Sequence, residues 1–409
     1  MNRQNDRILN LWFVYIMFYI CFKHLFLNDT FLYIVMDLLF SIIILKEIMK
    51  KEAIDDIRRG FRIKIRLEWI FFLILISDMF LSTFYAIDFL NAIKFFIVYL
   101  NFFVIAVWFS YLSGWEVKMY KWLKAGCLFH LAYTYFSVIF TDFSLKITSH
   151  FLPEDIQQLT VRWAKEMHCY AGISGQTGTN AFFFAILIGL LLAEWCSSDK
   201  HKISTKILLA LAFIGLILTG KKGIFFTVII IVAVMGWMVM NRRFRKWILL
   251  ITSMCGILTL IGCLFFHDLI YHLFYVSVVS RINIMDKMIF AIQEKPLLGH
   301  GVNSIVKYTQ NGRLGHNIYL QMWVEQGVVG LILLILALSY SVCKTLRKIQ
   351  RYKVKNSVIR ASCFFSLFIQ LYVIIQGFFE NSFYEYNTIL LYFFSLAAEY
   401  TAEDMNLSK

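Results

Sequence analysis

Repeated apolar runs of about 20 residues restrict the fold of this chain more than any other feature. An α-helix of that length crosses the ~30 Å hydrocarbon core of a bilayer. The chain has 60% hydrophobic residues, 41 Phe and 2 Pro among 409 residues, which is more apolar material than a soluble core would hold. We therefore predict an all-α polytopic membrane protein in which residues 1–409 form a single integral membrane domain.

The apolar runs predict about twelve transmembrane helices. Their approximate limits are 8–27, 30–45, 68–87, 92–112, 122–141, 180–196, 205–219, 224–240, 247–266, 318–340, 361–378 and 387–400. Two connections between these helices are long, at residues 142–179 and 267–317, and both fall on the same side of the membrane.

The placement of lysine and arginine predicts the orientation, because cytoplasmic loops of membrane proteins are enriched in both. When the N-terminus is taken as cytoplasmic, most of the 40 Lys and Arg residues fall in inner connections. Both termini are then cytoplasmic and both long loops are extracytoplasmic. The net charge of +14 follows from this topology and from contact with anionic lipid headgroups, so membrane lipid is a predicted partner and nucleic acid is not.

The cysteines and the N-terminus predict no further feature. The eight cysteines include no C-x-x-C pair, and seven lie in or at the edges of predicted helices. We expect no disulfide framework, no metal site and no cofactor. The first apolar run has no small-residue cleavage site, so we interpret it as a membrane anchor and not as a signal peptide.

A polar stretch from residue 281 to residue 330 contains RINIMDKMIFAIQEKPLLGHGVNS and GHNIYLQMWVEQGVVG. Ionisable groups at the membrane edge are candidates for function. Arg281, Lys221 and Lys222 supply cations to the outer surface, with Arg162 as a further candidate. Such cations suit the oxygens of a lipid-linked diphosphate, which arginine clamps bidentately.

His316 is the side chain of its segment that titrates near neutrality. It could accept a proton from a sugar hydroxyl as that oxygen attacks an anomeric carbon, with Asn317 orienting the ring. Tyr319 and Trp323 are four residues apart on one helix face and could stack on sugar rings. The cations would neutralise a diphosphate leaving group, so this displacement needs no metal.

Each candidate has a plainer interpretation. His316 could cap the tenth helix, Arg281 could be an interfacial anchor, and the two lysines could reach to the surface without binding anything. Glu325, about 12 Å beyond Asn317 along the helix, is expected to be buried among helices as structural support.

Four short motifs occur in a fixed order between residues 170 and 340. They are G-T-N at 178–180, L-T-G-K-K-G at 218–223, S-R at 280–281 followed by P-L-L-G-H-G at 296–301, and H-N-x-Y-L-x-x-x-x-E-x-G-x-x-G at 316–330. In this order the chain resembles the O-antigen ligase and polysaccharide polymerase superfamily. The last motif is the most specific of the four.

The resemblance implies a GT-C-type, metal-independent, inverting glycosyltransferase of the bacterial cytoplasmic membrane. Its donor would be an undecaprenyl-diphosphate-linked oligosaccharide, used on the extracytoplasmic side. By position, His316 would be the base, and Arg281 and Lys222 would contact the diphosphate. The other substrate-binding candidates are Lys221, Asn317, Arg162, Asn180, Tyr319 and Glu325.

One motif departs from the pattern, since relatives commonly have Ser-Arg where this chain has Lys221 and Lys222. Lysine keeps the charge and loses the bidentate fork, so the role of Lys222 is less secure than that of Arg281.

Three functions remain open. We favour a polymerase of capsular or O-antigen repeat units, because a composition rich in Lys, Ile, Asn and Phe suggests an AT-rich genome and favours a Gram-positive source, in which lipid A-core is absent. The alternatives are a ligase that transfers the glycan to lipid A-core or protein, and a transporter of lipid-linked oligosaccharide. The two halves show no repeat, which argues against a transporter. Further expected partners are polysaccharide export and chain-length proteins.

Overall fold

The computed structural model describes residues 10–16, 19, 29–48, 66–111, 115–198, 203–239, 267–309, 315–351 and 357–407. Every regular element within these ranges is a helix. The prediction of an all-α protein is therefore confirmed for the described residues.

The α-helices with defined bounds are numbered in chain order. They are α1 (Asp29–Ile48), α2 (Leu67–Thr83), α3 (Phe89–Phe109), α4 (Trp115–Ile139), α5 (Thr141–Ser149), α6 (Glu154–Glu166), α7 (Thr177–Ser197), α8 (Ile203–Leu218), α9 (Lys222–Val239), α10 (His267–Glu294), α11 (Ile305–Tyr308), α12 (Ile318–Arg351), α13 (Ser357–Gln376) and α14 (Tyr386–Leu407). A short 3-10 helix, Gly172–Ser174, precedes α7.

Four of the described helices are long and apolar enough to cross a membrane: α3, α7, α12 and most of α13. Helices α8 and α9 are apolar and shorter. Other predicted spans coincide with helices that are short, such as α2 with 17 residues, or more polar, such as α4. The predicted span 247–266 and most of 8–27 lie outside the described residues, so the count of about twelve stays a prediction.

The two long connections contain regular structure. Helices α5 and α6 and the 3-10 turn occupy residues 142–179, and α10 and α11 occupy most of 267–317. Helix α10 packs on the start of α12 through Met288, Ala291 and Val324. The polar stretch found in the sequence is therefore built largely on helices, which hold side chains in fixed positions.

Helix α7 lies at the centre of the bundle and is buried on all sides over residues 180–191. It contacts α4, α8, α9 and α13. A Cβ on Gly189 would lie 2.5 Å from the ring of Phe368, and one on Gly215 would lie 2.2 Å from the ring of Phe184. Small residues therefore let α13 and α8 approach α7 closely.

Candidate active site

Two of the predicted site residues, Arg281 and His316, are joined by a carboxylate that the sequence analysis did not select, Glu380. Nη2 of Arg281 donates to Oε1 of Glu380 at 2.9 Å, and Nδ1 of His316 donates to Oε2 at 2.8 Å. The exposed fractions of the three side chains are 43%, 35% and 28% respectively. They form a compact polar cluster that a ligand can reach.

Local structure holds His316 in an unusual backbone conformation at the start of α12. Its φ is +51°, a left-handed value that costs on the order of 1–3 kcal/mol outside glycine. Immediately after it, Oδ1 of Asn317 caps the helix by accepting from the backbone amides of Tyr319 and Leu320, both at 3.0 Å. The amide of Ile318 donates to the carbonyl of Gly377 at 2.8 Å. These bonds tie the histidine to the loop that carries Glu380.

Glu380 lies in the connection between α13 and α14, residues 377–385, and belongs to none of the sequence motifs. This segment is short and lies far from the other motifs along the chain. One signal was present: in the predicted topology this connection is extracytoplasmic, on the same side as His316 and Arg281. A charged residue that directly follows Phe378 and Phe379 there is a candidate partner for those cations.

The charges around Glu380 keep it ionised. Partial burial alone would raise the pKa of its carboxyl, but the hydrogen bond from His316 and the charges of His316, Arg281 and Lys221 outweigh burial and lower the pKa below its ordinary 4.5. An ionised carboxylate beside Nδ1 of His316 favours the tautomer in which Nδ1 carries the proton. The lone pair of the neutral ring is then on Nε2, to which no described residue bonds.

The two lysines of the turn after α8 differ in position. Lys221 is half-buried, and its charge contributes to the low pKa of Glu380. Lys222 is exposed and begins α9. Both act on the thiol of Cys169: burial raises the pKa of Cys169, and the two lysine charges partly offset that rise. Lys221 thus lies close enough to act on both Glu380 and Cys169, and Lys222 lies close enough to act on Cys169.

Asn180 is fully buried at the start of α7. Its Nδ2 donates to Oγ1 of Thr134 at 2.9 Å and to the carbonyl of Tyr170 at 3.0 Å. A Cβ on Gly172, which has a φ of +59°, would lie 2.9 Å from this side chain. Asn180 therefore holds the loop before α7, and its predicted contact with substrate stays a prediction.

Arg162 lies on the amphipathic helix α6. Its side chain is exposed and forms a salt bridge of 3.1 Å with Glu166. Such exposed pairs one helical turn apart contribute little to stability. The structure places Arg162 outside the cluster around Glu380.

The remaining substrate-binding candidates line the first turns of α12. The ring of Tyr319 packs 4.6 Å from that of Phe378, and its hydroxyl donates to the carbonyl of Ile374 at 2.9 Å. Glu325 has no exposed surface, and its Oε1 accepts from Nε2 of Gln321 at 3.0 Å. Its burial agrees with the expectation of structural support.

Two sequence motifs meet at a break in α12. Gly327 has a φ of +70° and a ψ of −169°, which interrupts the helix. The amides of His300 and Gly301 donate to the carbonyls of Val324 and Glu325, both at 2.8 Å. The amide of Val328 donates to the carbonyl of Pro296 at 3.0 Å. The segment 296–301 therefore satisfies backbone groups that the break leaves without helical partners.

This junction requires glycine on both sides. A Cβ on Gly327 would lie 2.0 Å from the carbonyl oxygen of Leu297, and one on Gly299 would lie 2.6 Å from the backbone of Glu325. Both glycines also have positive φ values, so a side chain would be strained even where space allowed it. The PLLGHG and ExGxxG motifs are thus two parts of one structural unit at the break in α12.

The cluster has the parts needed for a displacement on a phosphorylated sugar. Nε2 of His316 is a proton acceptor oriented by a carboxylate, as in other base–carboxylate pairs. Arg281 uses one nitrogen on Glu380 and has further N–H groups for an anionic ligand. Among the described residues, no group of three His, Cys, Asp or Glu side chains is arranged to hold a metal ion.

The comparison with known proteins agrees with the motif order. The family model described as O-antigen ligase matches residues 207–335, a segment that includes Lys221, Lys222, Arg281 and His316. The resemblance to the O-antigen ligase and polymerase superfamily is therefore confirmed over this segment. Among curated proteins, none matches the chain at a significant level.

Proposed function

We propose that the protein is a membrane glycosyltransferase that elongates polysaccharide from a lipid-diphosphate donor, because residues 207–335 match the family model described as O-antigen ligase. The observation that carries the proposal is the bridge made by Glu380 between Arg281 and His316. Because both side chains bond one carboxylate, a candidate base and a candidate phosphate ligand lie near each other, which supports roles on the attacking and the leaving oxygen of one anomeric carbon.

In the proposed reaction the donor glycan is linked to undecaprenyl diphosphate. Nε2 of His316 takes the proton of an acceptor hydroxyl as that oxygen attacks the anomeric carbon from the face opposite the leaving group. The new glycosidic bond forms while the bond to the diphosphate oxygen breaks, so the anomeric centre inverts. The departing lipid diphosphate carries the electron pair and is stabilised by Arg281 and the neighbouring lysines.

Glu380 has two roles in this scheme. It fixes the tautomer of His316 and stabilises the imidazolium that forms when the proton is transferred, as the carboxylate does in a catalytic triad. It also holds Arg281 by one nitrogen, which leaves other N–H groups for the diphosphate. The reaction would occur at the extracytoplasmic face of the bacterial cytoplasmic membrane.

We propose a polymerase, whose acceptor is the sugar of another lipid-linked repeat unit from a capsule or O-antigen. A ligase would share the donor chemistry and differ in its acceptor, which would be lipid A-core or a protein. The choice of polymerase rests on the residue composition of the chain. Only an assay with defined acceptors separates the two.

The test uses purified protein in detergent with a synthetic undecaprenyl-diphosphate-linked repeat unit and EDTA. A ladder of longer products is expected from the wild-type protein, and His316→Ala should abolish it with little loss of folded protein. A full ladder from His316→Ala would refute the role of the histidine. Product only when a separate lipid A-core or protein acceptor is added would identify a ligase, and a ladder that requires added divalent metal would contradict the metal-independent mechanism.

A further inference from the structure

Beneath the candidate base lies a buried pair of polar side chains, Gln321 and Glu325, one turn apart on α12. Neither has exposed surface. Oε1 of Gln321 accepts from the backbone amide of Gly315 at 3.1 Å, and Nε2 of Gln321 donates to Oε1 of Glu325 at 3.0 Å. Two polar side chains are therefore buried to make a bond to the residue that immediately precedes His316.

Resting on the proposed function, we infer that Gln321 and Glu325 are positioning residues that hold His316 in its left-handed conformation by fixing the backbone at Gly315.

The first step of the argument is the strain at His316. A non-glycine residue at a φ of +51° keeps that conformation only where its surroundings determine it from both sides. On the C-terminal side the Asn317 cap and the bond from Ile318 to Gly377 fix the chain. On the N-terminal side the corresponding anchor is the bond from Gly315 to Gln321.

Packing leaves Gly315 little freedom to use another anchor. A Cβ there would lie 2.6 Å from Sδ of Met288 and 3.4 Å from the side chain of Gln321. The residue is thus enclosed between α10, which carries Arg281, and α12, which it precedes. A shift at this point would displace His316 relative to both Arg281 and Glu380.

Glu325 fixes the orientation of the side-chain amide of Gln321. A glutamine side chain presents an oxygen on one side and an NH2 group on the other, and it can rotate to exchange them. The carboxyl group of Glu325 has an accepting oxygen in either protonation state, and Oε1 accepts from the NH2 group of Gln321, which leaves the oxygen of Gln321 facing the amide of Gly315. Glu325 also interacts with Tyr384, which lies in the same connection as Glu380.

The test compares Gln321→Leu with a matched control, Gln370→Leu. Gln370 is also fully buried, and its Nε2 bonds to Thr345 and Ser366 at 2.8 and 2.9 Å. Its partner Thr345 lies about 35 Å further along α12 from Gln321. Both changes remove a buried glutamine, and only the first removes a bond near His316.

We expect Gln321→Leu to lower kcat by about tenfold to a hundredfold, because misplacing a catalytic group by about 1 Å has effects of that size. The donor KM should change by less than about threefold, since Arg281 and the lysines remain in place. Gln370→Leu should retain the kcat of the wild-type protein per folded molecule. Wild-type kcat in folded Gln321→Leu, or an equal loss in Gln370→Leu, would overturn the inference.

Variants at Glu325 test whether the two residues act as one unit. Glu325→Gln keeps an acceptor oxygen and should retain kcat within about fivefold, whereas Glu325→Leu should match Gln321→Leu. The double change to leucine should be no worse than either single change, because both remove the same anchor. If the reduction of kcat in the double variant equalled the product of the two single reductions, the two residues would act independently and the shared role would be contradicted.

A chemical probe separates this inference from the proposed reaction. Modification of His316 by diethyl pyrocarbonate, measured by mass spectrometry, requires no substrate. The histidine should react faster in Gln321→Leu than in the wild-type or Gln370→Leu protein, because it is released from Glu380. An unchanged rate in folded Gln321→Leu would overturn the positioning role, even if the protein proved to have a different activity.

Discussion

Helix α12 takes part in two assemblies of cations and carboxylates, one at each end. At its start, His316 and Arg281 meet Glu380 with about a third of each side chain exposed. At its far end, Nζ of Lys348 lies 3.1 Å from Oε1 of Glu399, and these side chains are 4% and 0% exposed. We call the second assembly the far-end ion pair.

The difference lies in what surrounds the charges. Around the far-end ion pair the protein provides the neighbouring groups: Thr345 donates to Glu399 at 2.7 Å, and the ring of Tyr400 lies 3.6 Å from Nζ of Lys348. At the other end, Arg281 and His316 keep surface that faces away from the protein. Each enclosed charge depends on its partner, because removing one would leave the other buried and unpaired, whereas the partly exposed charges of the cluster are available to a ligand.

The largest effect on the free energy of unfolding should come from disrupting the far-end ion pair. Lys348→Met leaves the carboxylate of Glu399 buried without its ion-pair partner, which typically costs about 3–5 kcal/mol. Thermal and denaturant unfolding in detergent should show this loss, while transfer activity per folded molecule stays at the wild-type level. A loss of kcat in the folded variant would show that the two ends are coupled and that the contrast between them is wrong.

The substitution Arg281→Lys should have the next largest effect, and this effect should be on catalysis and not on stability. Lysine keeps the charge but cannot bond Glu380 and a phosphate with a planar fork, so kcat/KM should fall by at least about tenfold. Arg347→Lys, an exposed arginine toward the far end of α12, is the matched control and should behave as wild type. Wild-type kinetics for Arg281→Lys would identify that residue as a surface anchor.

A smaller effect should distinguish the two lysines. Lys221→Met should raise the donor KM several-fold, up to about tenfold, because the charge of Lys221 reaches the cluster. The substitution Lys222→Met should raise the donor KM by a smaller factor. The opposite order would favour the assignment implied by family resemblance, in which Lys222 contacts the diphosphate.

The smallest effect concerns pH. The pKa of Glu380 is lowered below its ordinary 4.5, so its interactions stabilise the fold fully above that pH and are lost as pH falls through the lowered value. Glu380→Gln should therefore reduce stability near neutrality by about 1 kcal/mol or less. The Tm difference from wild type should shrink below pH 4.5, as followed by scanning calorimetry. A difference that grows on acidification would contradict this sign.

Local sequence patterns predicted most of the apolar helices and three members of the cluster, but not the helices α5, α6, α10 and α11 within the two long connections. Apolar runs placed most of the apolar helices within a few residues. The motif order indicated Arg281, His316 and Lys222, and the positive charge on the predicted outer side indicated Lys221. Glu380 was not selected, because its role depends on contact between segments that are distant in the chain, and no local spacing encodes that contact. The helical character of residues 267–294 was missed for a related reason: polar side chains marked the segment as a loop, although α10 buries one face against α12.

The sequence also could not predict which of Lys221 and Lys222 acts on Glu380. Adjacent residues of the same type differ here only in the direction that the backbone gives them, and that direction depends on the turn at Gly220, which has a φ of +70°. Burial of Asn180 likewise depends on the loop of Gly172, whose conformation no motif specifies. Residue types indicated the kind of chemistry, whereas tertiary contacts determine which of several residues of the same type lies in the cluster.

Because of the break at Gly327, we expect the PLLGHG and ExGxxG motifs to change together among related proteins. Segment 296–301 fills the space that the break opens, so each motif is shaped by the other and neither can be transplanted alone. A chimaera that takes α12 from one relative and the preceding loop from another should assemble poorly unless both glycines and the intervening backbone geometry come together. Domain-exchange experiments aimed at changing sugar specificity should therefore place their crossover points before residue 296 or after residue 330.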